Sequence, residues 1–217
     1  MDKNKFWDLI ASVNAQVDVD DKESVLKATR EALCELSSEE IVEWYSVYRE
    51  LHHAAYRDDL WDAVEACGIH ATDDGFIDFR AWLISRGQAV YDAVVAHPGV
   101  LGAYVSDPQE ADFELYGYVS SDAYAVKVCK ETLGDEGFEV FKEEWLQQHG
   151  EAIEENAEWN GLSPEVAGER LFHNALLMKH DIYEVLEKTS LQEKLVEAEE
   201  RSAEVKEKER EEEKGLF

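Results

Sequence analysis

Three prolines (Pro98, Pro108 and Pro164) are all that punctuate 217 residues, and apolar side chains recur every three or four positions between them. Proline is the residue that stops helices, and a 3.6-residue period is what lets a helix bury one face. No segment alternates apolar and polar residues long enough to make a strand. The chain therefore predicts an all-α fold: a compact multi-helix bundle followed by a long charged C-terminal helix.

Local signals set the expected boundaries. A first helix covers Lys3 to about Val17, and Asp20 or Asp21 caps a second. Ser37 with Glu40 three residues on is a capping box opening a third, whose apolar stripe holds Trp44, Tyr48 and Leu51. A fourth runs from about Tyr56 to Cys67 and stops at Gly68. Thr72 caps a fifth, with Phe76, Phe79, Leu83, Gly87, Val90 and Val94 in line before Pro98. The segment from there to Pro108 reads as loop. Helices follow over Tyr116–Leu133 and Phe138–Trp159, then a long one from Ser163-Pro164. Beyond Thr189, Leu191, Leu195, Ala198 and Val205 give only a short heptad hint, so a solvated, fraying helix is expected rather than a coiled coil. The implied organisation is a helical domain over 1–133, a helical extension packed on it over 134–189, and a charged tail over 190–217.

An offset of 62 residues aligns Cys67 with Cys129, Gly75-Phe76 with Gly137-Phe138 and Trp82-Leu83, after one insertion, with Trp145-Leu146. A degenerate helical-hairpin repeat explains these matches, and so does shared helix grammar.

Charge sets the surface. The formal net charge is −29, and residues 187–214 carry eleven acids and seven bases, so −25 belongs to the rest. Such a body repels phosphate backbones and anionic membranes and attracts basic partners, although solubility alone also explains it. Met1–Trp7 lacks a signal-peptide pattern, and no apolar run reaches membrane-spanning length. Cys34, Cys67 and Cys129 form no C-x-x-C pair, which suits a reducing compartment and argues against a zinc–cysteine site. A cytoplasmic location is expected.

Three motifs stand out: Phe6-Trp7-x-Leu9-Ile10, Ala55-Tyr56-x-Asp58-Asp59-Leu60-Trp61-x-Ala63, and Asp73-Asp74-Gly75-Phe76-x-x-Phe79-Arg80-x-Trp82-Leu83-Ile84-x-x-Gly87. In these motifs the chain resembles a bacterial domain family of unknown function over roughly residues 1–130. The resemblance implies a cytoplasmic, all-helical domain and supplies no activity, cofactor or catalytic residue. Where that family has paired glycines and a serine before the double aspartate, this chain has Gly68-Ile69-His70-Ala71-Thr72. Threonine keeps the cap.

The candidate binding residues are Asp58, Asp59, Trp61, Asp62, Asp73, Asp74, Arg80 and Trp82. Arg80 falls inside the apolar stripe of its helix, where a guanidinium needs partners, and the neighbouring aspartates are the expected ones. The set is therefore a structural staple or a groove. Asp73 and Asp74 also suit a helix N-terminus, and the two tryptophans either pack against a third helix or anchor a partner. A rival reading takes Glu39, Glu40, Glu43, Asp59 and Asp62 as Mg²⁺ ligands. Their spacing loosely resembles the paired carboxylates of all-helical nucleotide pyrophosphohydrolases. His52 reads as a hydrogen-bonded core residue, and His173 and His180 lie seven apart, too far for one ion without help. No Walker loop, dinucleotide fingerprint or nucleophile motif is present. The expected function is a non-catalytic acidic binding or regulatory protein with no cofactor, such as an inhibitor or immunity protein for a basic protein partner. Direct nucleic-acid or membrane binding is not expected. The alternatives are the Mg²⁺-dependent hydrolase and a nucleic-acid mimic.

Overall fold

The computed structural model describes residues 1–182, 184 and 185. Helix accounts for 80% of them, and there is no strand among the described residues. The chain divides into a unit Met1–His180 and a second unit Asp181–Phe217. The charged helix expected after Thr189, with its heptad hint, lies outside the described residues.

The first unit is built from α1 (Lys3–Asn14), α2 (Lys22–Cys34), α3 (Ser38–Ala54), α4 (Asp58–Ala66), α5 (Asp73–Ser85), α6 (Gln88–Ala96), α7 (Val119–Gln148), α8 (Gly150–Asn160) and α9 (Pro164–Lys179). Side chains cap the helix starts as their sequence positions dictate. Asp21 accepts from the Ser24 amide at 3.2 Å, Thr72 from Gly75 at 3.1 Å and Ser163 from Val166 at 3.3 Å. The Ser37–Glu40 capping box closes in both directions. Each such cap contributes about 1 kcal/mol by giving an orphan amide an acceptor. Gly68, at φ +78°, ends α4, and the Ile69 amide then reaches back to the Val64 carbonyl at 3.2 Å.

The expected boundaries need correcting in three places. The single helix from Thr72 to Pro98 is two helices, because Gly87 adopts φ +89°; only glycine takes that conformation without strain. The expected loop up to Pro108 opens as a 3₁₀ turn, Pro98–Ala103, and two more, Pro108–Glu110 and Glu114–Tyr118, follow before α7. After Tyr116 the expected break following Leu133 is present, at Gly134 (φ +73°, ψ 163°), where two helical segments of α7 meet. The second expected helix, however, is itself divided at His149, after which α8 begins.

α1, α3 and α5 converge on one core, where the tilted rings of Phe6 and Trp44 meet at 4.8 Å and Phe76, Phe79, Leu83 and Ile84 are fully buried. α7 packs against α2, α3 and α9. Its Ala125, Cys129 and Phe138 meet Phe172 and Leu176 of α9 in a second cluster. The echoed segments both run helix, positive-φ glycine, helix, but the first connection spans residues 67–72 and the second turns at Gly134 alone. Arg80 is in the core, whereas its echo, Lys142, pairs with Glu169 at 2.5 Å. Among the described residues, no helix is long and apolar enough to cross a membrane.

Candidate functional site

The predicted site residues fall at the corner between α4 and α5, but their pairing differs from expectation. Arg80 is buried, with 6% of its surface exposed. Among the described residues it makes no ion pair with an aspartate, so the aspartate staple is corrected. Asp73 and Asp74 sit in the first turn of α5, seven and six residues before Arg80, about 10.5 and 9 Å along the axis. Asp58 and Asp59 open α4, and Asp59 pairs instead with Arg57. Arg57 also donates to the Val95 carbonyl at 2.8 Å, pinning the start of α4 to α6.

What Arg80 meets is the end of α3. Its Nη1 donates to the His52 carbonyl at 2.8 Å and lies 3.2 Å from His52 Nδ1, while Nε donates to the Phe76 carbonyl at 3.1 Å. The rings of Tyr56 and Phe76 lie 4.9 and 5.1 Å from the guanidinium carbon. The last carbonyls of a helix have no partner within it and carry the negative end of its dipole. Tyr91 Oη donates to the neighbouring Leu51 carbonyl at 2.6 Å. Arg80 and Tyr91 are therefore a cap for α3 supplied by α5 and α6, and the π faces add to the stabilisation of the buried cation.

His52 is held in one tautomer. Its Nε2 donates to the Ile77 carbonyl at 3.1 Å, which leaves Nδ1 to accept from Arg80. Burial, reinforced by the Arg80 charge, pushes its pKa down from 6.5 to about 4. The expected hydrogen-bonded core histidine is thus half-buried and forms the junction between α3 and α5.

Gly75 is the glycine of the Asp-Asp-Gly-Phe motif because the His70 carbonyl crosses directly over it. A Cβ there would come within 2.2 Å of that oxygen. Gly75→Ala is expected to cost about 1–3 kcal/mol, the usual toll of forcing a packed backbone apart. A shift in denaturation midpoint at unchanged slope checks this, and an unaltered midpoint would mean the turn yields freely.

Around this frame Asp58, Asp62, Asp73 and Asp74 are exposed and make no ion pair among the described residues. Trp61 is half-buried with its ring 4.6 Å from Phe76, and its Nε1 donates to Glu65 at 3.2 Å. Tyr56 and Ile77 remain 56% and 45% exposed. Trp82, by contrast, is buried on the far side of α5 under Arg86 and does not belong to this face. Beside the corner lies a cleft of about 450 Å³ whose lining includes His70, Asp74, Asp78, Gln109 and Asp112. Sequence reasoning passed over Asp78. Its carboxyl is pushed up by burial and then by Glu114, Asp112 and Asp74 around it. The signal that could have found it is the i, i+4 spacing from Asp74, with Ile77 one turn from Asp73.

The alternative Mg²⁺ ligands do not converge. Glu40 is taken by the capping box, Glu43 pairs with the N-terminal amine, Glu39 opens α3, and Asp59 holds Arg57. Asp62 is exposed on α4, whose main packing partner is the turn 98–103 rather than α3. No group of three or more His, Cys, Asp or Glu side chains among the described residues is arranged to hold a metal ion.

The corner and both its helices fall within the match to one family, "Protein of unknown function (DUF4240)", whose model covers residues 1–126. The chain belongs to the DUF4240 family. Neither a curated protein nor a solved structure matches it. The DUF4240 portion therefore runs from α1 into the first turns of α7 and holds the α4–α5 corner entire. The family brings no activity with it.

Proposed function

We propose that this DUF4240 protein is a non-catalytic binding protein that docks a basic segment of another protein on the α4–α5 corner. The carrying observation is Asp78. It is a half-buried carboxylate at the wall of a cleft, in a field of other carboxylates, with no cation paired to it among the described residues. Asp112 in the same lining is already shared with Lys22 at 2.8 Å. A lysine or arginine side chain entering the cleft would supply the counter-charge that burial and the neighbouring carboxylates make the Asp78 carboxylate need. Asp58, Asp62, Asp73 and Asp74 would steer it, and Tyr56, Trp61 and Ile77 supply the apolar anchor area that steering alone lacks. Inhibition or immunity toward a basic protein is a role such a face serves.

The test uses the full chain and a fluorescent peptide rich in lysine and arginine with one leucine anchor, read by anisotropy. Binding is expected to weaken with salt and to fall at least about tenfold in Asp78→Asn and in Tyr56→Ala. A peptide bound no better than its glutamate counterpart, or equally well by both variants, sinks the proposal.

A further inference from the structure

The 104–112 segment separates the acidic cleft from a second one, on the Trp82 side of α5. This cleft has a volume of about 230 Å³ and is lined by Lys22, Trp82, Arg86, Tyr104, Asp107 and Glu110 among others. Arg86 spends Nη1 twice, on the Val19 carbonyl at 2.9 Å and on Asp20 at 2.6 Å. Its Nε is buried without a protein partner, and so is Nε1 of Trp82, a residue only 2% exposed. The guanidinium carbon lies 4.7 Å from the centre of the Trp82 ring, which fixes its plane against the wall. Nη2 is left without an acceptor among the described residues.

That wall has more donors than acceptors, and Nη2, which unlike Nε and Trp82 Nε1 is not closed off from the cleft, is the one a ligand oxygen can reach. The opposite wall has the reverse surplus. Asp107 spends Oδ1 on the Gln109 amide at 2.9 Å, which leaves its other oxygen, and Glu110 is only shared with Lys22 at 3.1 Å. A simple anion would find Arg86 and Lys22 already countered by Asp20 and Glu110, on a chain of net charge −29. A ligand neutral overall, with an anionic and a cationic end, escapes that repulsion and answers both walls. The volume falls below the range of drug-sized pockets, so the ligand is small.

We propose that this cleft binds a small zwitterion of the α-amino-acid class, its carboxylate on Arg86 and its ammonium toward Asp107 and Glu110. The site is independent of the basic-segment docking corner and stands or falls separately from it. Thermal melts of the full chain with each standard α-amino acid at millimolar concentration, followed by calorimetric titration, test it. At least one amino acid is expected to raise the melting temperature by about 3 °C or more. Its amine and carboxylic-acid analogues, each lacking one charge, should not. Arg86→Gln is expected to abolish the shift. Because Arg86 also holds Val19 and Asp20, Glu110→Gln and Tyr104→Ala on the exposed rim are the variants that decide. Both should melt as the unaltered chain does without ligand and bind at least about tenfold more weakly. No shift with any amino acid, an equal shift with a singly charged analogue, or undiminished binding by both rim variants overturns the site.

Discussion

Replacing Arg80 with alanine is expected to lower stability by about 2–4 kcal/mol, well beyond the effect of removing any of the corner's aspartates. The loss has two parts. The His52 carbonyl at the end of α3 loses its charged donor, which costs about 1–3 kcal/mol for a buried acceptor. The aliphatic stem of Arg80 also fills space against Tyr56 and Phe76 that alanine leaves open. Arg80→Lys should recover only part of this, because one ammonium lacks the separately placed Nε and Nη1 donors that reach the Phe76 and His52 carbonyls. A decisive contrast lies with the aspartates. If the end of α3 is the partner, Asp58→Asn and Asp62→Asn each stay within about 0.5 kcal/mol of the original. Chemical denaturation of the variants separates the accounts. A loss as large in an aspartate variant as in Arg80→Ala would restore the aspartate staple.

That contrast also marks how far the sequence reaches. Helix starts were legible because a cap is a local device: Ser37 and Glu40, or Thr72 and the Gly75 amide, are three residues apart and announce themselves. The burial of Arg80 was legible from its angle on the helix. Its partner was not, because the His52 carbonyl comes from 28 residues earlier and no pattern within α5 names it. A hint does exist at the end of α3. Ala54-Ala55 carries no glycine or asparagine to turn the chain; the Ala55 and Tyr56 amides serve the Leu51 and His53 carbonyls, and the His52 carbonyl is left for a donor from elsewhere. Gly87 falls in line with the apolar stripe and yet stops the helix, since periodicity continues across a break that preserves phase. The two clefts were illegible for a different reason. Both are walled by the 98–118 segment, whose 3₁₀ turns follow no long period, so no pattern in the sequence singles out Asp78, Lys22 or Arg86.

The protein is expected to lose stability as pH falls from about 6.5 to about 4, with His52 as a principal cause. Its folded pKa lies near 4 against an ordinary 6.5, so in that interval the unfolded chain binds a proton that the folded chain refuses. Stability then rises with pH across the window, is fully present above about 6.5, and is fully lost below about 4. The refusal is geometric. A protonated ring would turn Nδ1 into a donor facing the Arg80 guanidinium at 3.2 Å, and would add a second cation to a half-buried place. A shift of this size corresponds to at most about 3 kcal/mol, and solvent reaching a half-buried ring reduces it to about 2. Other groups titrate nearby. His173 and His180 are also pushed down by burial and act in the same sense, whereas burial raises Asp78 and Asp122, which act in the opposite one. Subtraction isolates His52: in His52→Gln, which keeps a donor and an acceptor but cannot charge, the stability difference between pH 7.5 and 4.5 should shrink by about 2 kcal/mol. The ring resonances of His52 followed by NMR should titrate near pH 4 in the folded protein, and only somewhat higher in Arg80→Leu if that variant is folded, because burial, the larger cause, stays. A midpoint near 6.5 in the unaltered protein would mean that His52 is open to solvent and that Arg80 caps α3 without it.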